Sequence, residues 1–178
     1  MLDKAQELKF KNKKIAKDEF LAIIEITKGS KNKYEFDHET GMLILDRILY
    51  TSTHYPQNYG FIPLTLADDG DPLDVLVICS EPIVPLATVN CRPIGVIRMI
   101  DGGKKDYKII AVPLSDPFFN IYDDVSELPS HICEEIKHFF SVYKSLEGKE
   151  TRIKNILGHL EAQEVIQSCI DDYKKQVN

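Results

Sequence analysis

The first two thirds of the chain alternate short apolar runs with polar turns. The runs are rich in Ile, Leu, Val, Phe and Tyr, which favour β-strands. The predicted strands cover residues 20–27, 33–37, 42–50, 75–79, 88–100 and 107–114. The segment DGGKKD (101–106), between the last two, predicts a hairpin connection. Because no helical period interrupts these strands, this part predicts an antiparallel barrel or sandwich.

The last third of the chain changes to a helical period, in which apolar residues recur every three or four positions and predict two amphipathic helices. The first stripe comprises Ile132, Ile136, Phe139, Phe140, Tyr143 and Leu146, and the second comprises Ala162, Val165, Ile166, Cys169, Ile170 and Tyr173. Strands followed by helices predict the α+β class, with both helices packed outside the barrel. The length and the lack of a repeat or linker predict one domain over residues 1–178.

The charge balance limits the classes of partner. The 178 residues include 22 Lys and Arg against 28 Asp and Glu, a net charge of −6. An acidic chain is a poor electrostatic partner for nucleic acid or for an anionic membrane, so neither is expected. No apolar run approaches the ~20 residues that a membrane span needs. We interpret the basic stretch KFKNKK (9–14) as a solvated lead-in.

The four cysteines match no metal or redox motif. Their spacings of 12, 42 and 36 residues fit neither zinc ligands nor a Cys-x-x-Cys pair. We interpret them as reduced thiols, which indicates a cytoplasmic protein. The start of the chain, MLDKAQELKF, lacks the apolar region of a secretory signal, which favours the same compartment.

A cluster of carboxylates, DDGDPLD (68–74), directly precedes the apolar run VLVIC. Asp, Gly and Pro are common turn formers, so a solvated turn is one interpretation. A cation site is the other, since Asp69 and Asp71 flank a glycine and can point the same way in an extended segment, with Asp74 close behind. Two such charges ~4 Å apart repel by ~4 kcal/mol at an effective dielectric of about 20. Mg²⁺, a hard ion that prefers oxygen ligands, would hold them together.

Other cation and nucleotide motifs do not occur in the sequence. An EF-hand loop with Gly70 at its sixth position would have Leu76 where the final Glu is required. The phosphate-binding motifs GxxxxGK[ST] and GxGxxG and the zinc motif HExxH are absent as well. These observations leave the solvated turn and the hard-cation site as the two open interpretations of the acid cluster.

The segment D-G-D-P-L-D-V (69–75) resembles the signature D-x-D-P-x-D-x of the family I soluble inorganic pyrophosphatases, and in particular of their bacterial type. Other segments agree in order, namely K-Y-E (33–35), D-R (46–47), Y-P-Q-N-Y-G (55–60), C-R-P-I-G-V (91–96), D…D-x-K (101–108), A-V-P (111–113) and H-F-F-x-x-Y-K (138–144). The resemblance implies a closed five-stranded antiparallel β-barrel, OB-like, flanked by two main α-helices. It also implies Mg²⁺-dependent hydrolysis of inorganic pyrophosphate by a homohexamer.

The resemblance further implies roles for individual residues. Asp71 resembles the general base that orients the attacking water. The residues that resemble metal ligands or supporting acids are Asp69, Asp74, Asp101, Asp106, Glu35 and Glu25. The residues that resemble the groups holding the two phosphates are Lys33, Arg47, Tyr59, Lys108, Tyr143 and Lys144.

Taken singly, these residues have ordinary explanations. Lys33 with Glu35, and Asp106 with Lys108, lie two apart on predicted strands and share a face, as a surface ion pair of little energetic value would. Two other functions remain as alternatives. One is a metal-dependent hydrolase of nucleotides or polyphosphate, and the other is an OB-type module that binds nucleic acid.

Overall fold

The computed structural model describes residue 10 and residues 12–177. The strands are β1 (Phe20–Ile26), β2 (Asn32–Phe36), β3 (Leu43–Ile48), β4 (Asn58–Ile62), β5 (Leu73–Val77), β6 (Thr88–Asp101), β7 (Lys104–Pro113) and β8 (Thr151–Gly158). The helices are α1 (Ser130–Val142) and α2 (His159–Val177), with short 3₁₀ turns at Val125–Glu127 and Ser145–Glu147. The predicted α+β class with two main helices is confirmed. The expectations for the first residues, and for part of the basic stretch, lie outside the described residues.

Six strands form one sheet in the order β1-β4-β5-β7-β6-β8, and β1 also pairs with β6. The five strands β1, β4, β5, β7 and β6 are therefore joined in a hydrogen-bonded ring, while β2 and β3 form a separate hairpin. β1 and β4 approach closely at Gly60, where a Cβ would lie 1.8 Å from the carbonyl oxygen of Ile23. Any larger residue would force these two strands apart.

The expectation that all strands pair antiparallel is wrong, and the sheet has one strand more than the five that form the ring. β5 and β7 pair in parallel, with Asp74 opposite Lys108. The reason is that the chain reverses twice between them, so β7 regains the direction of β5 after running antiparallel to β6. In addition, β8 pairs with β6 as a sixth strand.

Hydrophobic patterning misses β4 and β8 and extends the first helix too far. β4 (NYGFI) is buried along its length, but it contains Asn and Gly, which are depleted in strands. β8 (TRIKNILG) is largely polar and lies between two helices. The helix α1 ends at Val142, so Leu146 does not belong to its apolar stripe. Leu146 lies in the following 3₁₀ turn and is 68% exposed. Gly148, in the left-handed conformation, ends that turn.

The helices cover two apolar clusters of the sheet. α1 contributes Ile136, Phe139 and Phe140 to one cluster, and α2 contributes Ala162, Ile166 and Ile170 to the other. This packing confirms both predicted helical stripes apart from Leu146. Within the described part of the chain, no helix combines the length and the apolar character that a membrane span requires.

Candidate active site

A cavity of about 320 Å³ opens between the β2–β3 hairpin, the loop from β4 to β5, the start of β7 and the end of α1. Every site residue predicted from the sequence, except Arg47, lines this cavity. Seven carboxylates and three lysines therefore face one space. Residues that lie far apart in the sequence are thus brought together by the fold.

The acid loop, residues 63–72, carries Asp69 and Asp71 between β4 and β5. Gly70 has a φ of 95°, a conformation in which an L side chain is strained. The Gly70 amide donates to the Ala67 carbonyl at 3.0 Å, and the Asp71 amide donates to Asp69 Oδ1 at 3.1 Å. This tight turn leaves both carboxylates on the cavity wall. The two acids therefore face the same space, but the extended segment from which this was predicted is a turn in the structure.

A buried ammonium group lies at the centre of the site. Lys108 is 2% exposed, and its Nζ donates to Asp74 Oδ2 at 2.7 Å, to Asp106 Oδ1 at 2.8 Å and to Tyr59 Oη at 2.9 Å. The Tyr59 hydroxyl in turn donates to Asp74 Oδ2 at 2.6 Å. The parallel pairing of β5 and β7 places Asp74 opposite Lys108. The predicted proximity of Asp106 and Lys108 is confirmed, but the pair is buried rather than a wet surface contact.

The β2–β3 hairpin presents a second group of charges. Lys33 Nζ bonds the Glu35 carboxylate, and the two residues share a strand face as predicted. The same Nζ lies 3.4 Å from Asp46 Oδ2. Arg47, cross-strand partner of Lys33, lies beside the cavity rather than in its wall. Its Nε donates to Glu147 Oε1 at 2.8 Å, and its Nη1 bonds Asp46. Its Nη2 is buried without a hydrogen-bond partner among the described residues.

The end of α1 supplies two further predicted residues. Tyr143 caps the helix, is 4% exposed, and packs its ring 5.2 Å from that of Phe139. Tyr143 also lines the cavity. Its position therefore agrees both with core packing and with a role in the site. Lys144, the next residue, bonds Asp101 of β6. The predicted Asp101 and Lys144 thus form one side of the cavity.

Glu25 lies on β1, where its Oε1 accepts a hydrogen bond from the Phe36 amide at 2.7 Å. Burial and the nearby Asp74 raise the pKa of Glu25 to about 8, in spite of that hydrogen bond. Through its hydrogen bond with the Phe36 amide, the Glu25 carboxyl group links the hairpin to the main sheet.

Sequence patterns miss an aromatic part of the cavity wall. Phe36, His38 and Phe61 contact one another, with ring centroids 5.1 to 5.7 Å apart, and all three line the cavity. Phe36 directly follows Glu35 at the end of β2, and His38 lies in the turn of the hairpin, so strand alternation gives no signal that groups them with Lys33 and Glu35. Glu147, which holds Arg47, gives no sequence signal because it lies 100 residues away.

The carboxylates of the site are held in an electrostatically unfavourable arrangement. Burial, together with the charge of Asp74, raises the pKa of both Asp69 and Asp71. Burial also raises the pKa of Asp106, although the Lys108 ammonium opposes this shift. Neutralising cations would relieve the crowding because they favour the ionised carboxylates.

The donor set fits a hard divalent cation in its chemistry. Carboxylate oxygens are the ligands that Mg²⁺ prefers, and Mg²⁺ commonly binds one or two of them together with substrate phosphates. Over the described ranges, no three His, Cys, Asp or Glu side chains are gathered at ligand distances. Lysine side chains instead bond the carboxylates, as Lys108 does with Asp74 and Asp106.

Acids suited to divalent cations stand next to lysines and tyrosines suited to phosphate oxygens. This combination defines an enzyme that handles phosphate groups with the help of divalent metal ions. The sequence model described as inorganic pyrophosphatase matches residues 22–174. The soluble inorganic pyrophosphatase 2 of Chlamydomonas reinhardtii is 49% identical over 153 residues, which cover 86% of this chain and 80% of that protein. The chain belongs to the inorganic pyrophosphatase family.

Solved structures agree with this assignment. The inorganic pyrophosphatase of Thermus thermophilus superposes with a TM-score of 0.86 at 39% identity, covering 88% of this chain and 92% of that one. The enzyme of Helicobacter pylori superposes with a TM-score of 0.89 at 38% identity, covering 92% and 98%. The mixed sheet with two helices is therefore an architecture shared with these pyrophosphatases.

Proposed function

We propose that this protein hydrolyses inorganic pyrophosphate to two orthophosphates with the help of Mg²⁺. The observation that carries the proposal is one cavity in which seven carboxylates and three lysines converge, in a chain that belongs to the pyrophosphatase family. Pyrophosphate is a compact and highly charged anion, which an acid-lined cavity would repel. The arrangement is therefore productive only if divalent cations are bound together with the substrate.

The acids would hold these cations in distinct groups. Asp69, Asp74 and Asp106 would hold the first, and Asp101 with Asp106 would hold one that enters with substrate. Glu35 would bind a further ion, and Glu25 would support it. Bound Mg²⁺ supplies charge neutralisation, acidification of a water molecule and alignment of the reacting groups. The oxygen-only donor set and the crowded carboxylates described above support this proposal.

Asp71 would act as the general base. Asp71 faces the cavity from the acid loop. Its backbone amide, and not its carboxylate, makes the hydrogen bond with Asp69. In the absence of a bound cation, burial and the charges of Asp74 and Glu35 raise the pKa of Asp71. Asp71 would orient the attacking water and accept a proton from it.

The cationic and phenolic groups would hold the two phosphates. Arg47 has a planar guanidinium suited to phosphate oxygens, whereas Lys33, Lys108 and Lys144 act as point charges. The buried Nη2 of Arg47, which lacks a partner among the described residues, supports a role in binding an oxygen of the substrate. Once cations neutralise the carboxylates, the lysine ammonium groups are available to the phosphates.

The two tyrosines would complete the phosphate site. Tyr59 and Tyr143 both line the cavity, and burial raises the pKa of each phenol well above its ordinary value. The hydroxyl groups therefore stay protonated at neutral pH and can donate hydrogen bonds to phosphate oxygens. Such bonds, together with the lysines, would stabilise the departing phosphate.

Substrate comparison tests the proposed activity. Purified protein is supplied with Mg²⁺ and equal concentrations of pyrophosphate, tripolyphosphate or ATP, and released phosphate is measured. We expect a strong preference for pyrophosphate because the cavity is compact and its cationic groups converge. A preference for ATP would favour a nucleotide hydrolase instead. Salt-dependent oligonucleotide binding without phosphate release would favour the nucleic-acid module.

Several finer properties belong to the same proposal. The ring of five strands, in which β1 pairs with both β4 and β6, supports a closed OB-like barrel within a single domain of residues 1–178. The four cysteines form no disulfide, which supports a cytoplasmic protein. A homohexamer is proposed by analogy with the bacterial type, and sedimentation velocity would show a single species of six times the chain mass.

A further inference from the structure

One buried side chain, that of Thr65, closes the base of the acid loop. Thr65 is 2% exposed. Its hydroxyl donates to the Ile62 carbonyl at 2.6 Å and accepts from the Leu73 amide at 2.9 Å. Ile62 and Leu73 are the facing residues at the end of the β4–β5 ladder. The hydroxyl therefore joins the end of one strand to the start of the next, at the point where the acid loop leaves the sheet.

The position of this hydroxyl separates the acids into two groups. Asp74 directly follows Leu73 and is fixed by strand pairing to Lys108, whereas Asp69 and Asp71 lie in the loop. The other backbone bonds of the loop do not reach β5, since they run from Ala67 to Asp71, from Gly70 to Ala67 and from Leu66 to Cys169 of α2. The Thr65 hydroxyl thus directly couples the loop to the strand that carries Asp74.

We propose that Thr65 is a positioning residue, which sets the distance between Asp74 and the two loop acids and thereby the affinity of the site for divalent cations. The inference rests on the proposed function. Thr65 does not line the cavity, so its effect passes through the backbone of Ile62 and Leu73.

Removing the hydroxyl leaves a buried amide and a buried carbonyl without partners. Such unpaired groups are unfavourable, and the loop can rehydrate them only by moving away from β5. Groups that are hydrogen-bonded directly to metal ligands change metal affinity by about 10- to 100-fold when they are replaced. Because Thr65 acts through the backbone, we expect an effect at the lower end of this range. A shift of the loop would change the spacing of Asp69 and Asp71 from Asp74, and weaker binding of Mg²⁺ would follow.

The test compares Thr65→Val with Thr65→Ser, since valine keeps the shape of threonine but loses the hydroxyl, whereas serine keeps the hydroxyl. Mg²⁺ binding is measured by isothermal titration calorimetry, and pyrophosphate hydrolysis is measured over a range of Mg²⁺ concentrations. We expect Thr65→Val to weaken Mg²⁺ binding by about tenfold and to recover most of its turnover at high Mg²⁺. We expect Thr65→Ser to bind Mg²⁺ as the unchanged protein does.

A matched control removes a similar hydrogen bond elsewhere. The Thr27 hydroxyl donates to the Ile83 carbonyl at 2.8 Å, away from the acid loop. Thr27→Val should lower thermal stability and leave Mg²⁺ affinity unchanged. If Thr65→Val does not fold, Thr65→Ala replaces it, because alanine removes the hydroxyl without placing a methyl group against the Ile62 carbonyl and the Leu73 amide. The expected direction is the same.

The outcomes separate the inference from the proposed function. If the unchanged protein neither binds Mg²⁺ nor releases phosphate from pyrophosphate, the proposed function fails. If it does both, but folded Thr65→Val or Thr65→Ala binds Mg²⁺ equally well, the role of Thr65 alone is refuted. Equal weakening by Thr27→Val would also refute it, since the effect would then follow from general loss of stability.

Discussion

Replacement of Lys108 by methionine tests the electrostatic design of the site most severely. The ammonium group is almost wholly buried and contacts both Asp74 and Asp106. Methionine has a similar length but no charge, so Lys108→Met leaves two carboxylates facing each other. The expected consequence is a loss of stability when divalent cations are absent.

The magnitude follows from the burial of the three groups. The side chains of Lys108 and Asp106 are 3% and 15% exposed, and that of Asp74 is 27% exposed. Removing one partner from a buried ion pair costs about 3–5 kcal/mol. We expect a value near the lower end, about 3 kcal/mol, because Asp74 retains contact with water and with the Tyr59 hydroxyl.

Urea unfolding, with EDTA or with Mg²⁺, measures this effect. Mg²⁺ should stabilise Lys108→Met more than it stabilises the unchanged protein, because a bound cation replaces the missing positive charge. Lys105→Met is the matched control on the same strand. The Lys105 side chain is 61% exposed and 3.7 Å from Asp68, so its loss should change stability by less than about 0.5 kcal/mol.

Two results would refute this reasoning. A Lys108→Met protein as stable in EDTA as the Lys105→Met control would show that the buried charge does not hold the carboxylates together. An equal gain from Mg²⁺ in the variant and in the unchanged protein would show that cations do not bind beside Asp74 and Asp106.

Three further predictions concern other parts of the molecule. Asp71→Asn should fold normally but lower the turnover of pyrophosphate by orders of magnitude, and near-normal turnover would remove Asp71 as the base. Leu86 has a φ of 68° and is 46% exposed, so Leu86→Gly should raise the free energy of unfolding by about 1 kcal/mol in urea titrations; a loss of stability would contradict this. The Asp124 carboxylate accepts hydrogen bonds from the Ser126 amide at 3.0 Å and from the His159 amide at 2.8 Å, which hold its pKa far below the ordinary value although burial opposes them. The ionised Asp124 carboxylate therefore adds to the free energy of unfolding above its unfolded pKa of about 4, and this contribution is lost at lower pH. Asp124→Asn should cost about 1–2 kcal/mol at pH 7, and a cost that did not shrink as the pH falls below about 4 would contradict the assignment.

The chemistry of the site is more visible in the sequence than its architecture. The acids of residues 69–74 are adjacent in the chain, and strand alternation alone predicts that Lys33 and Glu35 share a face. These local relations hold in the structure. The cavity also gathers Asp101, Asp106 and Lys144, whose proximity depends on the order of strands and on the end of α1.

Long-range relations account for the errors. The parallel pairing of β5 with β7 depends on how the β6–β7 hairpin docks, which no local pattern records. β4 is not predicted because its Asn and Gly are explained by tertiary contacts rather than by strand propensity, as the close approach at Gly60 shows. The burial of Lys108 is likewise invisible in the sequence, since two of its three partners, Tyr59 and Asp74, come from other strands, β4 and β5.

The most direct test of the claim that the acids recruit divalent cations to admit a diphosphate is phosphate release from pyrophosphate in the presence and absence of Mg²⁺. With Mg²⁺, we expect rapid and complete conversion to orthophosphate, and with EDTA we expect no release above background. Equal rates under both conditions would contradict the claim, because the carboxylates would then bind and cleave the anion without any cation.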